Sequence, residues 1–201
     1  MFRGFQIFTS AVILMISFSF ALAEDHPAQT LVEDAISSML KVYKEDGDKL
    51  KSEPEYLQSK IDELIVPNLD FESMTKLAVS KFWRRADESQ QQVLIDEFTT
   101  LLLNTYTGAL TEYSGESITF SPFKPDSRED RAVVSSTFSQ SAGDDVPVVY
   151  KLRDKNGWSI YDIEVNDISL VTSYRAAFSS EIEKGGIDGL IKVLKERNGS
   201  S

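Results

Sequence analysis

Cysteine is absent from the 201-residue chain, and histidine occurs once, as His26. Without cysteine the protein can form no disulfide, so its stability has to come from packing. Cysteine and histidine are common catalytic groups and metal ligands, so the chain has few residues for either role. No Gly-x-Ser-x-Gly turn, phosphate-binding glycine loop or metal-spaced His/Asp cluster occurs either. We therefore expect a protein that is not an enzyme, with no catalytic residues, no metal and no cofactor.

Cations are also scarce, because 21 Lys and Arg residues face 32 Asp and Glu residues, for a net charge of −11. A protein binds nucleic acid largely by neutralising phosphates with Lys and Arg, so nucleic acid is excluded as the expected partner. Spontaneous adhesion to anionic bilayers is disfavoured for the same reason. If such a chain handles lipid, we expect it to receive the lipid from another protein.

Long apolar runs are missing except at the start, which reads MFRGFQIFTSAVILMISFSFALAED. Arg3 precedes an apolar run over residues 7–20, and Ala21-Leu22-Ala23 supplies the small residues of a cleavage site. This pattern predicts a secretory signal peptide, and the run is too short to span a bilayer. We expect residues 1–23 to be the signal peptide and 24–201 to be a single exported domain.

Apolar residues at helical spacing mark six further segments. They predict helices over 28–46, 54–66, 70–85, 87–113, 169–185 and 187–194. Gly47 is expected to end the first helix, Asp70 to cap the third, and Asp87 with Gln90 to form a capping box for the fourth. The fifth helix should include SLVTSYRAAF, with Gly185-Gly186 as its stop.

Apolar and polar residues alternate between 118 and 165, which predicts strands over 118–120, 131–140, 147–154 and 157–165. Short links make neighbouring strands antiparallel. Strict alternation would place Trp158, Ile160, Asp162 and Glu164 on one face of the last strand, and Ser159, Tyr161, Ile163 and Val165 on the other. The predicted fold class is α+β, with helices packed on one face of a four-stranded antiparallel meander.

The residues alone leave several readings of function open. Asp162 and Glu164 share a strand face, and an exported enzyme could use Tyr106 and Asp162 as acid and base. The simpler interpretation of these carboxylates is a solvated face or an ion pair with Arg153. A binding module with a solid core is a further alternative, because sequence does not separate a filled core from a lined cavity.

The C-terminal part of the chain resembles the MlaC, or toluene-tolerance, family of periplasmic phospholipid-binding proteins of the maintenance-of-lipid-asymmetry pathway. The matching residues are Trp158, Tyr161-Asp162, Ile168-Ser169-Leu170-Val171, Tyr174-Arg175, Phe178 and Gly186-Ile187-Asp188-Gly189-Leu190-Ile191. Residues 66–115 resemble the family's helical half at Pro67, Asp70-Phe71, Met74, Trp83-Arg84, Gln91, Phe98, Leu102, Thr105-Tyr106 and Leu110. Asp167 and Ser173 depart from the family's usual Gly and Asn.

The resemblance implies a fold similar to nuclear transport factor two, with an apolar cavity that takes phospholipid acyl chains. It implies a monomeric periplasmic carrier that moves lipid between an outer-membrane lipoprotein–porin complex and an inner-membrane ABC transporter complex, and so maintains outer-membrane lipid asymmetry. Acyl chains inside a protein need an apolar environment comparable to a bilayer, since each buried CH₂ contributes about 0.8 kcal/mol.

Two sets of residues are candidates for a lipid-carrying site. The expected acyl-chain contacts are Phe71, Met74, Leu77, Leu101, Leu102, Tyr106, Leu110, Val133, Val149, Tyr161, Val165, Leu170 and Tyr174. The expected head-group or docking residues are Lys81, Arg84, Arg85 and Arg175. For Arg175 we expect an ion pair with a carboxylate that fixes its helix.

Overall fold

The computed structural model describes residues 26–111, 115, 117–139 and 143–199, without the side chains of 109–111. The predicted signal peptide lies outside the described residues. The α-helices are α1 (Pro27–Ser52), α2 (Pro54–Leu64), α3 (Phe71–Val79), α4 (Glu88–Thr111) and α5 (Arg175–Gly199). Short 3₁₀ segments cover Val66–Asn68, Ser80–Arg85 and Thr172–Tyr174. The strands are β1 (Ser117–Phe120), β2 (Lys124–Pro125), β3 (Arg131–Ser139), β4 (Val146–Asp154), β5 (Trp158–Val165) and β6 (Ile168–Ser169).

The strands form one open antiparallel sheet in the order β1-β3-β4-β5-β6, and β2 also pairs with β3. This confirms the predicted α+β class and the four predicted strands. The two additional strands, β2 and β6, are only two residues long and lie beside the longer ones. Such short strands carry too few residues for an alternating pattern to reveal them.

One face of the sheet packs against the helices and forms the centre of the core. The buried residues on this inner face are Ala132, Val134, Val148, Tyr150, Leu152 and Ile160. Helices α1 and α3 both contact the sheet, while α4 and α5 pack against each other and against α3. A smaller apolar cluster of Met39, Leu50, Leu57 and Ile61 joins the second half of α1 to α2.

The strict alternation predicted for β5 is wrong, because a β-bulge interrupts it. Lys151 lies opposite Asp162, but the next residue of β4, Leu152, lies opposite Ile160. Tyr161 is therefore an extra residue, and a bulge of this kind reverses the facing of every residue beyond it. As a result Ile160 and Ile163 both face the core side, while Asp162 faces away from the helices.

Helix α1 begins within one residue of its predicted start but ends later than predicted. His26 caps its first turn, accepting a hydrogen bond from the Ala28 N–H at Nδ1 (3.2 Å), and stacks on Phe123 with ring centroids 4.2 Å apart. The helix does not end at Gly47 but continues to Ser52 with a kink at Asp46 (φ −130°, ψ 27°). Hydrophobic burial of Leu50 keeps the segment beyond the kink attached to the body of the protein.

The predicted caps of α3 and α4 are confirmed. The Ser73 N–H donates to Asp70 Oδ1 at 2.9 Å. Asp87 and Gln90 exchange bonds, the Gln90 N–H donating to Asp87 Oδ1 (2.8 Å) and the Asp87 N–H to Gln90 Oε1 (3.1 Å). Both pairs satisfy amide groups that the first turn of a helix leaves without intrahelical partners.

The predicted helix from Ser169 to Gly185 is only partly correct. Residues 168–169 form β6, a 3₁₀ turn follows, and regular helix begins at Arg175. Gly186 interrupts α5 with φ +70° and ψ −170°, so the predicted stop is confirmed as a break inside one longer helical element. Phe178 and Ile182, four residues apart on this helix, are both buried in the core.

The two neighbouring glycines of this break should respond oppositely to alanine. At Gly186 the backbone occupies a region that is essentially restricted to glycine, so Gly186→Ala should destabilise the protein by about 1–3 kcal/mol. Gly185 has no such constraint and no atom within 4 Å of an added Cβ, so Gly185→Ala should be neutral or stabilise by up to about 1 kcal/mol. Urea unfolding of both variants measures the difference, and equal midpoints would contradict this assignment.

Candidate functional site

Most of the residues predicted to contact acyl chains meet on the inner face of the sheet. Met74, Leu101 and Leu102 are buried in the central core. Phe71, Leu77, Tyr106, Val165 and Tyr174 are partly buried and pack against the same core. Leu170, four residues before Tyr174, is half-buried. The side chain of Leu110 lies outside the described residues. The helical and inner-strand predictions thus converge on one apolar interior.

Three of the predicted contacts lie on the opposite, outer face of the sheet. Val133 is 39% exposed, and Val149 lies between Ser135 and Glu164 on the neighbouring strands. Tyr161 lies beneath Arg131, whose guanidinium carbon is 5.0 Å from the ring centroid. Because this face points away from the helices, these three residues do not share the interior with the others.

The residues of the interior are largely buried. Met74 is 3% exposed, and Leu101 and Leu102 are buried in the same cluster as Phe98. An open groove of about 630 Å³ does exist between α1 and α2. It is lined by Pro27, Thr30, Leu31, Asp34, Ala35, Ser38, Glu63, Leu64, Pro67 and Asn68. None of the predicted acyl-chain contacts belongs to this groove, and the predicted apolar cavity stays a prediction.

Aromatic rings and hydroxyl groups meet at one edge of this interior, between α4 and the start of α5. Tyr174 packs edge-on against Phe98 (5.3 Å between centroids) and lies 5.5 Å from Phe178. Its hydroxyl donates to Thr105 Oγ1 at 3.4 Å. Burial, followed by the proximity of Tyr174, raises the pKa of Tyr106 to about 12, so this phenol stays protonated at neutral pH. The edge is therefore apolar on its core side and lined with neutral hydroxyls at its rim.

Helix α3, which carries Met74 and Leu77, is tied to the sheet through Asp70. The Asp70 N–H donates to the Ile160 carbonyl at 2.8 Å, and its carboxylate Oδ2 lies 2.8 Å from Lys155 Nζ in the β4–β5 turn. Burial alone would raise the pKa of Asp70, but Lys155 and the bonds from Ser73 outweigh it and hold the pKa below its ordinary value. One carboxylate thus caps the helix and joins it to a hairpin.

Asp162 is only 2% exposed and has a structural role at the entrance to α5. Ser169 Oγ donates to Asp162 Oδ1 at 2.7 Å and accepts a bond from the Thr172 N–H at 2.9 Å. Lys151 Nζ is 3.6 Å from Asp162 and also pairs with Glu164. The relay from Asp162 through Ser169 to Thr172 connects β5 to the turn that begins the last helix.

This arrangement corrects two readings of the sequence. The expected ion pair between these carboxylates and Arg153 is wrong, because Arg153 pairs with Asp130 at 3.5 Å and Lys151 takes its place. The acid–base pair considered for an enzyme is not assembled either. Tyr106 packs against the core, whereas Asp162 lies on the outer face of the sheet and is bonded to Ser169.

Arg175 binds a backbone carbonyl and not a carboxylate, so the expected ion pair is wrong. Its Nε and Nη2 both donate to the Leu77 carbonyl oxygen, at 3.2 and 3.0 Å. The bond still fixes the start of α5, because Leu77 lies in the last turn of α3 where carbonyls lack intrahelical donors. No residue type marks such an acceptor, so the sequence contains no signal for this contact.

The three other basic candidates lie together in the 3₁₀ segment after α3. Lys81, Arg84 and Arg85 are exposed, whereas Phe82 between them is buried. Lys81 Nζ is 4.9 Å from the Phe82 ring centroid and Arg85 Cζ is 5.5 Å from it. Both charged groups therefore lie close to the Phe82 ring at the edge of the core, while the two side chains remain exposed to solvent.

Comparison with known proteins identifies the family. Residues 33–196 match the family model described as MlaC protein, so the chain belongs to the MlaC family. It is 25% identical over 179 residues to the toluene tolerance protein ttg2D of Pseudomonas putida, covering 88% of this chain and 83% of that protein. It is 22% identical over 198 residues to the intermembrane phospholipid transport system binding protein MlaC of Haemophilus influenzae, covering 96% and 92%.

A solved structure shows the same fold with a ligand. The phospholipid-binding protein of Ralstonia solanacearum, solved in complex with a phospholipid, superposes with a TM-score of 0.78 and 33% sequence identity. The match covers 87% of this chain and 98% of that one. The agreement extends over both the helical half and the sheet.

No helix among the described residues has the length and apolar character needed to cross a membrane. No group of three or more His, Asp or Glu side chains in the described ranges is arranged to hold a metal ion.

The Asp70 junction predicts a specific response to acid. Because the folded pKa of Asp70 is depressed, its stabilising contribution is present above the unfolded value of about 3.8 and is lost as pH falls through the folded pKa. The stability difference between wild type and Asp70→Asn should therefore shrink on acidification below about pH 4. Urea unfolding between neutral and strongly acidic pH measures it. The exposed Asp48→Asn is the control, and a constant wild-type–Asp70→Asn difference would contradict the assignment.

Proposed function

We propose that this protein is a periplasmic phospholipid carrier that moves lipid between an outer-membrane lipoprotein–porin complex and an inner-membrane ABC transporter complex, and so maintains outer-membrane lipid asymmetry. The observation that carries the proposal is the match, at 33% identity and a TM-score of 0.78, to a protein solved with a phospholipid. Membership of the MlaC family and the curated relative described as an intermembrane phospholipid transport system binding protein support the transport role.

The inner face of the sheet is the proposed acyl-chain site. Its contacts would come from Phe71, Met74, Leu77, Leu101, Leu102, Tyr106, Val165, Leu170 and Tyr174. We leave out Val133, Val149 and Tyr161, because they lie on the outer face. Two acyl chains of ordinary length are held in a bilayer by tens of kcal/mol, at about 0.8 kcal/mol per CH₂, so release from the membrane requires an interior of comparable apolar character.

Lipid would enter this interior by displacement of packed elements, since Met74, Leu101 and Leu102 are buried. The hydroxyl-lined edge at Tyr106 and Tyr174 is the proposed position of the head group. Tyr and Thr hydroxyls can donate to a phosphodiester, and the rings beneath them would contact the first carbons of the acyl chains. An amphipathic rim of this kind matches the amphipathic part of a phospholipid.

A binding module with a solid core is the second candidate, and the burial of Met74, Leu101 and Leu102 favours it. The two candidates differ in one observable property, which is whether the protein carries or takes up phospholipid.

Solvent extraction of the purified, exported protein followed by mass spectrometry should therefore yield phospholipid. Introducing an amide into the interior removes favourable acyl-chain contact, so Leu101→Gln should lower the lipid content. Val133→Gln makes the same kind of change on the outer face and should leave the lipid content unchanged. If Leu101→Gln does not fold, the half-buried Leu77→Gln replaces it. Absence of lipid in wild type, together with no uptake of added phospholipid, would sink the carrier and favour the solid-core module.

Export is the remaining part of the proposal. Residues 1–23 would be a signal peptide removed after Ala23, leaving a domain of residues 24–201. The intact mass of the protein isolated from the periplasm should correspond to a chain that begins at Glu24. A full-length mass in a membrane fraction would show instead that the N-terminal segment is retained as an anchor.

A further inference from the structure

The segment Ser80–Arg85 has a charge opposite to that of the molecule as a whole. Residues 76–86 contain four cations, Lys76, Lys81, Arg84 and Arg85, and no carboxylate, in a chain whose net charge is −11. Three of these cations, Lys81, Arg84 and Arg85, are exposed together on the same short segment. We call these three residues, together with Arg175, the basic patch.

Internal ion pairs do not account for Lys81, Arg84 and Arg85. Neighbouring cations are paired, as Lys76 is with Glu72 (2.6 Å) and Lys155 with Asp70 (2.8 Å). Within the described ranges, none of the three lies within ion-pair distance, about 4 Å, of a carboxylate oxygen. These three cations can therefore pair with carboxylates of another molecule.

The backbone under the patch is held in place. Phe82 is 4% exposed and anchors the middle of the segment in the core. The Gln91 amide donates to the carbonyls of Ala86 (3.0 Å) and Trp83 (3.4 Å), which fixes its end against α4. A surface whose backbone is already ordered loses less conformational entropy when it binds than a flexible one.

Arg175 extends the patch from a second element. Its guanidinium reaches the Leu77 carbonyl, four residues before Lys81, so the cation at the start of α5 lies beside the end of α3. A carbonyl bond leaves the charge of the guanidinium without a counterion. The patch thus joins charges from α5 and from the segment after α3 at one side of the proposed lipid-binding interior.

We propose that the basic patch is the docking surface for an acidic face on a membrane-bound protein complex with which the carrier exchanges lipid. This inference rests on the proposed function, and it adds the surface and the chemistry of the partner. A bilayer is the weaker candidate, because a flat anionic membrane would also face the acidic remainder of the molecule and repel it. A protein can present a local acidic face to a local basic one, which speeds association and orients the encounter.

The test compares charge reversal at the patch with the same charge change elsewhere. The patch variant is Lys81→Glu/Arg84→Glu/Arg85→Glu, and the control is Lys41→Glu/Lys44→Glu/Lys51→Glu on α1, where the three lysines are also exposed. Association rates are measured against the purified inner-membrane ABC transporter complex and the outer-membrane lipoprotein–porin complex of the source organism in detergent. Vesicles with and without phosphatidylglycerol are the membrane probe.

We expect the patch variant to associate at least about tenfold more slowly with one of the complexes at low salt, and the control to stay within about threefold of wild type. The association rates of the patch variant and of wild type should become more similar as ionic strength rises to about 0.15 M and above. Equal effects of both variants, no effect of either, or no association of wild type with either complex would overturn the proposal. Loss of binding to anionic vesicles alone would overturn it in favour of a membrane surface.

Two further measurements distinguish failure of the basic patch from failure of the proposed carrier function and from misfolding of the triple variant. Lipid content by mass spectrometry should be the same in the patch variant and in wild type, so lipid-free wild type would refute the carrier and not the patch. Arg84→Glu alone, at a side chain with no described contact, gives a second variant if the triple reversal fails to fold. It should slow association by a smaller factor in the same direction, and an unchanged rate would also count against the patch.

Discussion

The burial of one face of an antiparallel sheet under helices is the interaction on which the rest of this structure depends. A chain without cysteine has only packing to hold its elements, and the inner-face residues of β3, β4 and β5 form the surface against which α1 and α3 pack. The polar contacts follow from this arrangement. Asp70 ties α3 to β5, and Asp162 with Ser169 ties β5 to the last helix, so each junction positions one wall of the apolar interior.

Helix and strand positions were predictable where the pattern is long or the cap is formed by neighbouring residues, as at Asp70 and at Asp87 with Gln90. The bulge at Tyr161 was not predictable. Alternation assigns residues to the two faces of a strand, but it does not reveal an inserted residue, after which the two faces are exchanged. Val133 and Val149 failed as interior residues for a related reason, since apolar side chains can also occupy the half-exposed face. The partner of Arg175 is a backbone oxygen, which every residue has and no sequence pattern marks.

The acidic surface and the basic patch have opposite charge, so they affect contact with a membrane and contact with a partner protein differently. Net negative charge keeps the molecule apart from anionic bilayers, where an apolar interior would otherwise favour unspecific adsorption. In the proposed docking role, a small region of opposite sign, anchored in the core by Phe82, would allow a specific approach without cancelling that repulsion. Protection against adsorption and recognition of a partner can therefore coexist on one surface.

The relay from Asp162 through Ser169 to Thr172 lies in the C-terminal segment whose residues resemble the family pattern, yet each of its hydrogen bonds is made within the protein. Ser169 uses its hydroxyl as donor and acceptor at once, which leaves Asp162 and Ser169 engaged on the outer side of β5. Such a motif shows how the last helix is attached to the sheet, and it does not indicate which lipid a protein that contains it would bind. Two proteins that share it can therefore differ in the lipids they select, and the determinants of that choice have to be sought among side chains outside the signature.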